Sequence, residues 1–248
     1  MNLELEKKVA IVTGAGNGIG AGIATRLAAE GASVVLADID GRSAERQATL
    51  LSSAGFSAMA VAADVSSMAS VDEMVAKVMD KHGRIDILVN NAGFTKDNRI
   101  GNMSEGDWDD VVDVILKGSF LCSRAVVVHM AQQGWGRIVN ISSRAYLGNR
   151  GQVNYSAAKA GLLGFTRSLS LEEGRNGITV NAIAPGMIDT EALRALPHFE
   201  NFIEAAIKNT PVRRVGLVED ISSAVAFLVS GCAGYITGEV LHVTGGRY

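Results

Sequence analysis

Apolar and polar positions along the chain fall into two regimes. Short β-branched runs recur at KKVAIVT, SVVLAD, SAMAVAAD, DILVNN, GRIVNIS, ITVNAIAP and EVLHVTG. Between them lie longer segments with apolar residues at helical spacing: Ile19 to Glu30, Ser66 to His82, Ser104 to Gln132, and Tyr155 to Gly174. Several of the short runs are apolar on both faces, which suits a parallel sheet sandwiched between helices. Strands alternating with helices predict right-handed βαβ crossovers and a doubly wound parallel sheet. No linker, low-complexity tract or solenoid repeat interrupts the rhythm, so residues 1–248 read as a single α/β domain. The one long departure is Gly186 to Arg214, which reads as an insertion with short helices. Beside a ligand site, such a segment predicts a lid at about 186–214.

Composition narrows the class. A chain of 248 residues is long enough for a sizeable core, 48% of it is apolar, and the net charge is −3. Lys and Arg are scattered, so no basic stripe points to nucleic acid. The opening MNLELEKKVAIVTG is too soon interrupted for a signal peptide, and no apolar run approaches a membrane span. Cys122 and Cys232 are far apart and not in a metal spacing, which suggests buried thiols in a reducing compartment and no metal site. The expectation is a cytoplasmic protein with a small-molecule substrate.

In a doubly wound sheet, ligands bind beyond the carboxyl ends of the strands. After the first strand, TGAGNGIG places Gly14, Gly16, Gly18 and Gly20 at the start of a helical pattern. Such a loop lets backbone approach a pyrophosphate at a helix N-terminus, or simply makes a tight turn. It does not fit G-x-G-x-x-G, since Ile19 stands where the third glycine would fall. Asp38, ending the second strand, is placed to accept ribose hydroxyls, or to cap a helix. NNAG (Asn90 to Gly93) and NISS (Asn140 to Ser143) follow two further strands. Twelve residues beyond Ser143 stands Tyr155, with Lys159 four further on. Residues i and i+4 share a helix face, so phenol and ammonium point the same way. The pair is an ordinary helix pairing or, with a serine at the neighbouring strand end, a general acid/base whose pKa the ammonium lowers.

These motifs together resemble the short-chain dehydrogenase/reductase family from end to end. Its loop is T-G-x-x-x-G-x-G, matched by Thr13, Gly14, Gly18 and Gly20. Asp64-Val65, Asn90-Asn91-Ala92-Gly93, Ser143, Tyr155-x-x-x-Lys159, and Pro185-Gly186 leading to Ile188 and Thr190 match in order. The resemblance implies a Rossmann-type fold and hydride transfer between a nicotinamide and a secondary alcohol or ketone. Tyr155 would exchange the proton, Ser143 would hold the substrate oxygen, and Lys159 would bind the nicotinamide ribose and depress the tyrosine pKa. Cofactor contacts would come from Gly14, Asn17, Gly18, Ile19, Gly20, Asp38, Asp64, Val65, Asn91, Ala92, Gly93, Tyr155, Lys159, Pro185, Gly186, Ile188 and Thr190.

Two departures stand out. The family usually has thirteen residues from serine to tyrosine, which would select Ser142; the strand RIVNISS favours Ser143. The family's asparagine in WDDVVDVILKGSF, which holds a water for proton relay, is Ile115 here. FTKDN, GQVNYSAAKAGLLGF and ITGEVLHVTGG look closest to the 3-oxoacyl-carrier-protein reductases and related 3-hydroxyacyl-CoA dehydrogenases. The former typically use NADPH with a basic residue before the loop's second glycine; here that residue is Asn17, and Asp38 would repel a 2′-phosphate. The expectation is therefore NAD, a hydroxyacyl thioester or similar apolar alcohol, and a homotetramer with no nucleic-acid or membrane partner. The alternatives are an NADPH-dependent carrier-protein reductase and a non-catalytic NAD-binding protein. A sugar-nucleotide epimerase shares the Tyr/Lys pair but is longer, with a different glycine spacing.

Overall fold

In the computed structural model, residues 2–195 and 199–247 are described. The strands are β1 (Val9–Thr13), β2 (Ser33–Asp38), β3 (Ala58–Ala62), β4 (Ile87–Asn90), β5 (Gly136–Ile141), β6 (Ile178–Pro185) and β7 (Val240–Val243). Each falls within one of the seven predicted runs. They form one parallel sheet in the order β3-β2-β1-β4-β5-β6-β7. The chain steps outward from β1 to β3, then returns to place β4 on the other side of β1. That reversal opens a crevice above the carboxyl ends of β1 and β4.

The apolar runs divide by strand periodicity. Ala10 and Val12 of β1 face one buried cluster, with Ile23 and Leu27 of α1 (Gly18–Ala29) and Ile221 and Val225 of α9 (Val218–Leu228). Val9 and Ile11 face the other, with Met74 and Val78 of α3 (Met68–His82) and Val126 and Met130 of α5 (Gly118–Gln133). Alternate side chains thus enter opposite layers, which is why the runs are apolar throughout. The hydrophobic rhythm did not separate α2 (Gly41–Ser53) or α9.

The predicted helix Ser104 to Gln132 is not continuous. It comprises α4 (Glu105–Val112), a π-turn over Asp113–Lys117, and α5. Gly118 N–H reaches back to the Asp113 carbonyl, and the Ser119 hydroxyl donates to the Ile115 carbonyl at 2.6 Å. Apolar spacing alone does not distinguish five residues per loop from four. α6 (Val153–Glu173) begins two residues before the predicted Tyr155. After β6, the expected insertion contains α7 (Glu191–Arg194) and α8 (Phe199–Asn209); residues 196–198 lie outside the described residues. Its base is tied down where Ile188 bridges Gly216 and Val212 N–H donates to the Gly245 carbonyl.

Candidate active site

The carboxyl ends of the strands open onto a cleft of about 850 Å³. Lining it are Gly14, Asn17, Gly18, Ile19 and Gly20 after β1, Asp38 after β2, and Asp64 and Val65 after β3. Asn91, Ala92 and Gly93 follow β4, Ser142 and Ser143 follow β5, and Pro185, Gly186, Ile188 and Thr190 follow β6. Tyr155 and Lys159 reach it from α6. The structure therefore brings every sequence-predicted site residue to one place. It adds Ile39 beyond Asp38, and Ser43, Arg46 and Gln47 from α2. The signal for α2 was the buried stripe Ala44, Ala48 and Leu51 at i, i+4 and i+7; Ser43 and Gln47 flank that stripe and Arg46 lies opposite it.

The glycine loop is locked against β4. Gly14 has φ +61°, and a Cβ there would stand 2.9 Å from Ala92 Cα. A Cβ on Gly20 would overlap the Gly14 carbonyl oxygen. Thr13 Oγ1 accepts from Asn91 N–H (3.0 Å) and Ala92 N–H (3.1 Å), while the Asn91 amide donates to the Thr13 (2.9 Å) and Gly14 (3.0 Å) carbonyls. The Asn91 side chain thus braces the loop. One oxygen of Asp64, Oδ1, is likewise engaged by protein, accepting from Ser66 N–H and Oγ.

The start of α1 differs from those of its neighbours. Asp40, Ser67 and Ser104 cap α2, α3 and α4 through their side chains, but Asn17 makes no side-chain cap bond to α1. The first-turn N–H groups of α1 are left facing the cleft, where an anion would satisfy them. Asp38 is held by both oxygens: Gly16 N–H donates to Oδ2 at 2.8 Å and Asp40 N–H to Oδ1 at 2.9 Å. Its charge is fixed at one corner of the cleft.

At the other end, the two serines part company. Ser142 is buried and donates to the Lys159 carbonyl at 2.8 Å, while its N–H continues the ladder to Ile183. Ser143 is half-buried and its hydroxyl accepts from Ala145 N–H at 3.1 Å, leaving its proton available. Tyr155 is half-buried, with Lys159 Nζ 5.5 Å from its ring centroid. Lys159 is buried, donates to the Ile141 carbonyl at 2.6 Å, and forms no ion pair among the described residues. Burial pulls its pKa down to about 7.

The expected lowering of the phenol pKa is not met in the chain by itself. Burial pushes Tyr155 above its ordinary value, the Ser143 hydroxyl pulls it back, and the charge of Asp97 pushes it up again. The physical reason is that phenol and ammonium share one desolvated pocket, so burial disfavours the charged form of both. Ile115, at the π-turn, is fully buried with Val111, Ala158 and Leu162.

With this geometry in view, likeness to known proteins is decisive. A family model described as enoyl-(acyl carrier protein) reductase matches residues 14–247. The chain is 44% identical to (2S)-[(R)-hydroxy(phenyl)methyl]succinyl-CoA dehydrogenase subunit BbsD of Thauera aromatica, over 98% of this chain and 97% of that one. It is 42% identical to 3-oxoacyl-[acyl-carrier-protein] reductase FabG of Escherichia coli, over 99% of each.

The chain belongs to the short-chain dehydrogenase/reductase family.

As a member of that family it is an oxidoreductase acting on CH–OH groups, and it takes a nicotinamide cofactor. The crystal structure of gox2181 has the same fold, with a TM-score of 0.95 at 36% identity, covering 99% of this chain and 97% of that one. No helix among the described residues is long and apolar enough to cross a membrane.

Proposed function

We propose that this dehydrogenase/reductase uses NAD(H) and acts on a 3-hydroxyacyl/3-oxoacyl thioester or a similarly apolar secondary alcohol. The observation that carries the reading is the convergence of Ser143, Tyr155 and Lys159 on one wall of the cleft, while Ser142 is turned into α6. End-to-end likeness to a hydroxyacyl-CoA dehydrogenase subunit and an oxoacyl-carrier-protein reductase supports the substrate class.

The residues present fit a nicotinamide dinucleotide. The uncapped α1 and the close-packed loop suit its pyrophosphate, and the fixed carboxylate of Asp38 suits adenosine ribose hydroxyls and opposes a 2′-phosphate. Asp64, Val65 and Ile39 would flank the adenine, and Pro185, Gly186, Ile188 and Thr190 the nicotinamide. The bound cofactor supplies or accepts the hydride. Tyr155 Oη exchanges a proton with the substrate oxygen, and Ser143 Oγ donates to that oxygen and fixes it against the phenol. Lys159 sets the electrostatics of the phenol and would hold the nicotinamide ribose. The segment 186–214 closes over the substrate as a lid. Exposed Phe120 and Val128 on α5 and Leu171 on α6 support a homotetramer built on those helices. Neither thiol is in a disulfide, which fits a reducing, cytoplasmic setting, although only Cys122 is buried as expected and Cys232 is exposed.

The test is spectrophotometric. NADH should be oxidised with a 3-oxoacyl thioester, NADPH should serve much less well, and Asp38→Ser should narrow the difference. Comparable kcat/KM for both cofactors would favour the NADPH-dependent carrier-protein reductase reading, which the likeness to FabG supports. Turnover of a 2-enoyl thioester in place of the 3-oxo compound would move the reaction to the double bond.

A further inference from the structure

Gly16 is not one of the glycines that the family's loop requires, yet a side chain at that position is crowded out. A Cβ there would stand 2.8 Å from Ser43 Cβ and 2.9 Å from Asp38 Oδ2. The bare glycine thus lets the first turn of α2 come down beside the Asp38 carboxylate, to which Gly16 N–H donates at 2.8 Å. Ser43 is buried and engaged twice: its hydroxyl donates to Asp40 Oδ2 at 2.5 Å and accepts from Arg46 Nη2 at 2.6 Å. Asp38, Ser43, Arg46 and Gln47 all line the cleft, so one corner of it holds a carboxylate and a guanidinium together.

The two charges differ in what they have left to offer. Both Asp38 oxygens accept backbone N–H groups and the residue is half-buried, so the carboxylate is fixed in place. Arg46 is exposed, forms no ion pair among the described residues, and spends one of its five N–H groups on Ser43. Its charged neighbours on the same stretch are Asp40, joined to it through the Ser43 hydroxyl, and Arg42, which is exposed and not part of the cleft lining. A guanidinium with free donors matches a phosphate through two parallel N–H bonds, a geometry that ribose hydroxyls do not call for. The glycine loop supplies no cation of its own here, since Asn17 stands before its second glycine.

We propose that Arg46 is a specificity-determining residue of the nucleotide site, receiving the 2′-phosphate of NADP(H) in opposition to Asp38. The inference rests on the reading above that puts the adenosine ribose against Asp38. A phosphate on a hydroxyl that faces Asp38 lies in the corner bounded by Gly16, Ser43 and Arg46. The preference for NAD(H) is then a difference between two side chains rather than the work of one. Asp38 prevails because its carboxylate is already fixed, whereas Arg46 must leave Ser43 and order a long side chain in solvent. Arg46 narrows the preference without reversing it.

The experiment is calorimetry on the full-length, cofactor-free protein with ADP-ribose and 2′-phospho-ADP-ribose, which differ only by the 2′-phosphate. The quantity read is the ratio of their Kd values. Arg46→Ala should weaken the phosphorylated probe relative to ADP-ribose by about five- to tenfold. Arg46→Lys keeps the charge but loses the paired donors, and should fall between the two. Asp38→Ser should move the ratio the other way, and adding Arg46→Ala to it should cancel part of that gain. Arg42→Ala should move the ratio by less than about twofold, and the Arg46 effect should shrink as salt is raised. An unchanged ratio in Arg46→Ala, on both the native and the Asp38→Ser backgrounds, would overturn the proposal. Equal weakening of both probes would also overturn it, since Arg46 would then serve the adenosine or the seating of α2. So would an equal effect of Arg42→Ala, because any nearby cation would then do. If the unmodified protein binds both probes alike and Arg46→Ala does not, the NAD(H) reading fails while the assignment of Arg46 stands. If ADP-ribose itself does not bind, the dinucleotide site and the proposal fall together.

Discussion

Two deeply buried charges sit at opposite ends of the same sheet, and the fold treats them in opposite ways. At the N-terminal end Asp86 is 0% exposed and fully partnered: Val9 N–H donates to it at 2.9 Å, Arg84 Nε at 2.8 Å, and Lys8 Nζ lies 3.6 Å away. Lys8 and Arg137 then stack over the Trp135 ring, 3.6 and 4.3 Å from its centroid. At the C-terminal end Lys159 is 3% exposed with a single carbonyl partner. A buried charge is costly unless paired and hydrogen-bonded. Asp86 is completed by its partners, although Arg137 Nε nearby has none among the described residues; Lys159 stays incomplete in a cleft, as a group that meets a ligand must. Depth of burial does not separate the structural charge from the functional one. Between Asp86 and Lys159, completeness of the partners does.

The most severe test of this contrast is Tyr155→Phe. It removes one oxygen from the incomplete end and should lower kcat by about 10²–10⁴-fold, with little change in thermal midpoint or NADH affinity. A thermal midpoint that falls together with activity would show that the phenol supports the fold.

Next come the two charges themselves. Asp86→Ala strands Arg84 and Lys8 and leaves Val9 N–H unmet, so it should destabilise by about 3–5 kcal/mol, a fall of roughly 10 °C in Tm. Lys159→Met removes a charge that nothing pairs and replaces it with a similar volume. It should abolish turnover while Tm stays level or rises, measured by calorimetry on both variants. Equal losses of Tm would erase the distinction between the two ends.

What could be read from the sequence follows from the same division. All seven strands were legible: the runs of β1, β4, β5 and β6 are buried on both faces, and those of the edge strands β3 and β7 carry β-branched and apolar residues though only partly buried. The glycine loop, Asp38 and Ser143 stood out because they follow strand ends, where this topology gathers ligands; Tyr155 and Lys159 stood out by their i, i+4 spacing on a helix, and the remaining candidates came from the family resemblance. The π-turn was not, since DVILK has the same apolar spacing whichever way it winds. Two contacts accompany the wide turn: a Cβ on Gly118 would stand 2.8 Å from Val65 Cγ2, a tertiary approach, and the Ser119 hydroxyl locally takes the Ile115 carbonyl. The choice between Ser142 and Ser143 needed the register of β5 on β6 to show which hydroxyl turns inward. The direction of the Tyr155 shift needed its burial, which no spacing reveals.

The serine pair gives a smaller, oppositely signed test. Ser142→Ala loses a buried hydrogen bond to the Lys159 carbonyl and should cost about 1–3 kcal/mol of stability with activity largely retained. Ser143→Ala should leave stability within about 0.5 kcal/mol and lower kcat more than Ser142→Ala does. The reverse order of activities would move the substrate-holding role to Ser142.

The gentlest perturbation, because it alters no residue, is the pH dependence of stability that an unpaired buried lysine imposes. The Lys159 pKa is about 7 in the folded chain, against an ordinary value of 10.5. Between those limits the unfolded chain holds a proton that the folded chain releases, so unfolding takes up a proton and stability rises with pH. The contribution is fully present above the unfolded value and is lost as pH falls through about 7. One such group supplies a slope of at most about 1.4 kcal/mol per pH unit. Denaturant unfolding of the unmodified protein from pH 7 to 9 should therefore show a rise that Lys159→Met lacks. Asp86→Ala should retain it, because the incomplete end is intact in that variant. A rise of equal steepness in Lys159→Met would mean that the ammonium is neutralised in the folded protein by a partner, and that the two ends of the sheet are alike after all.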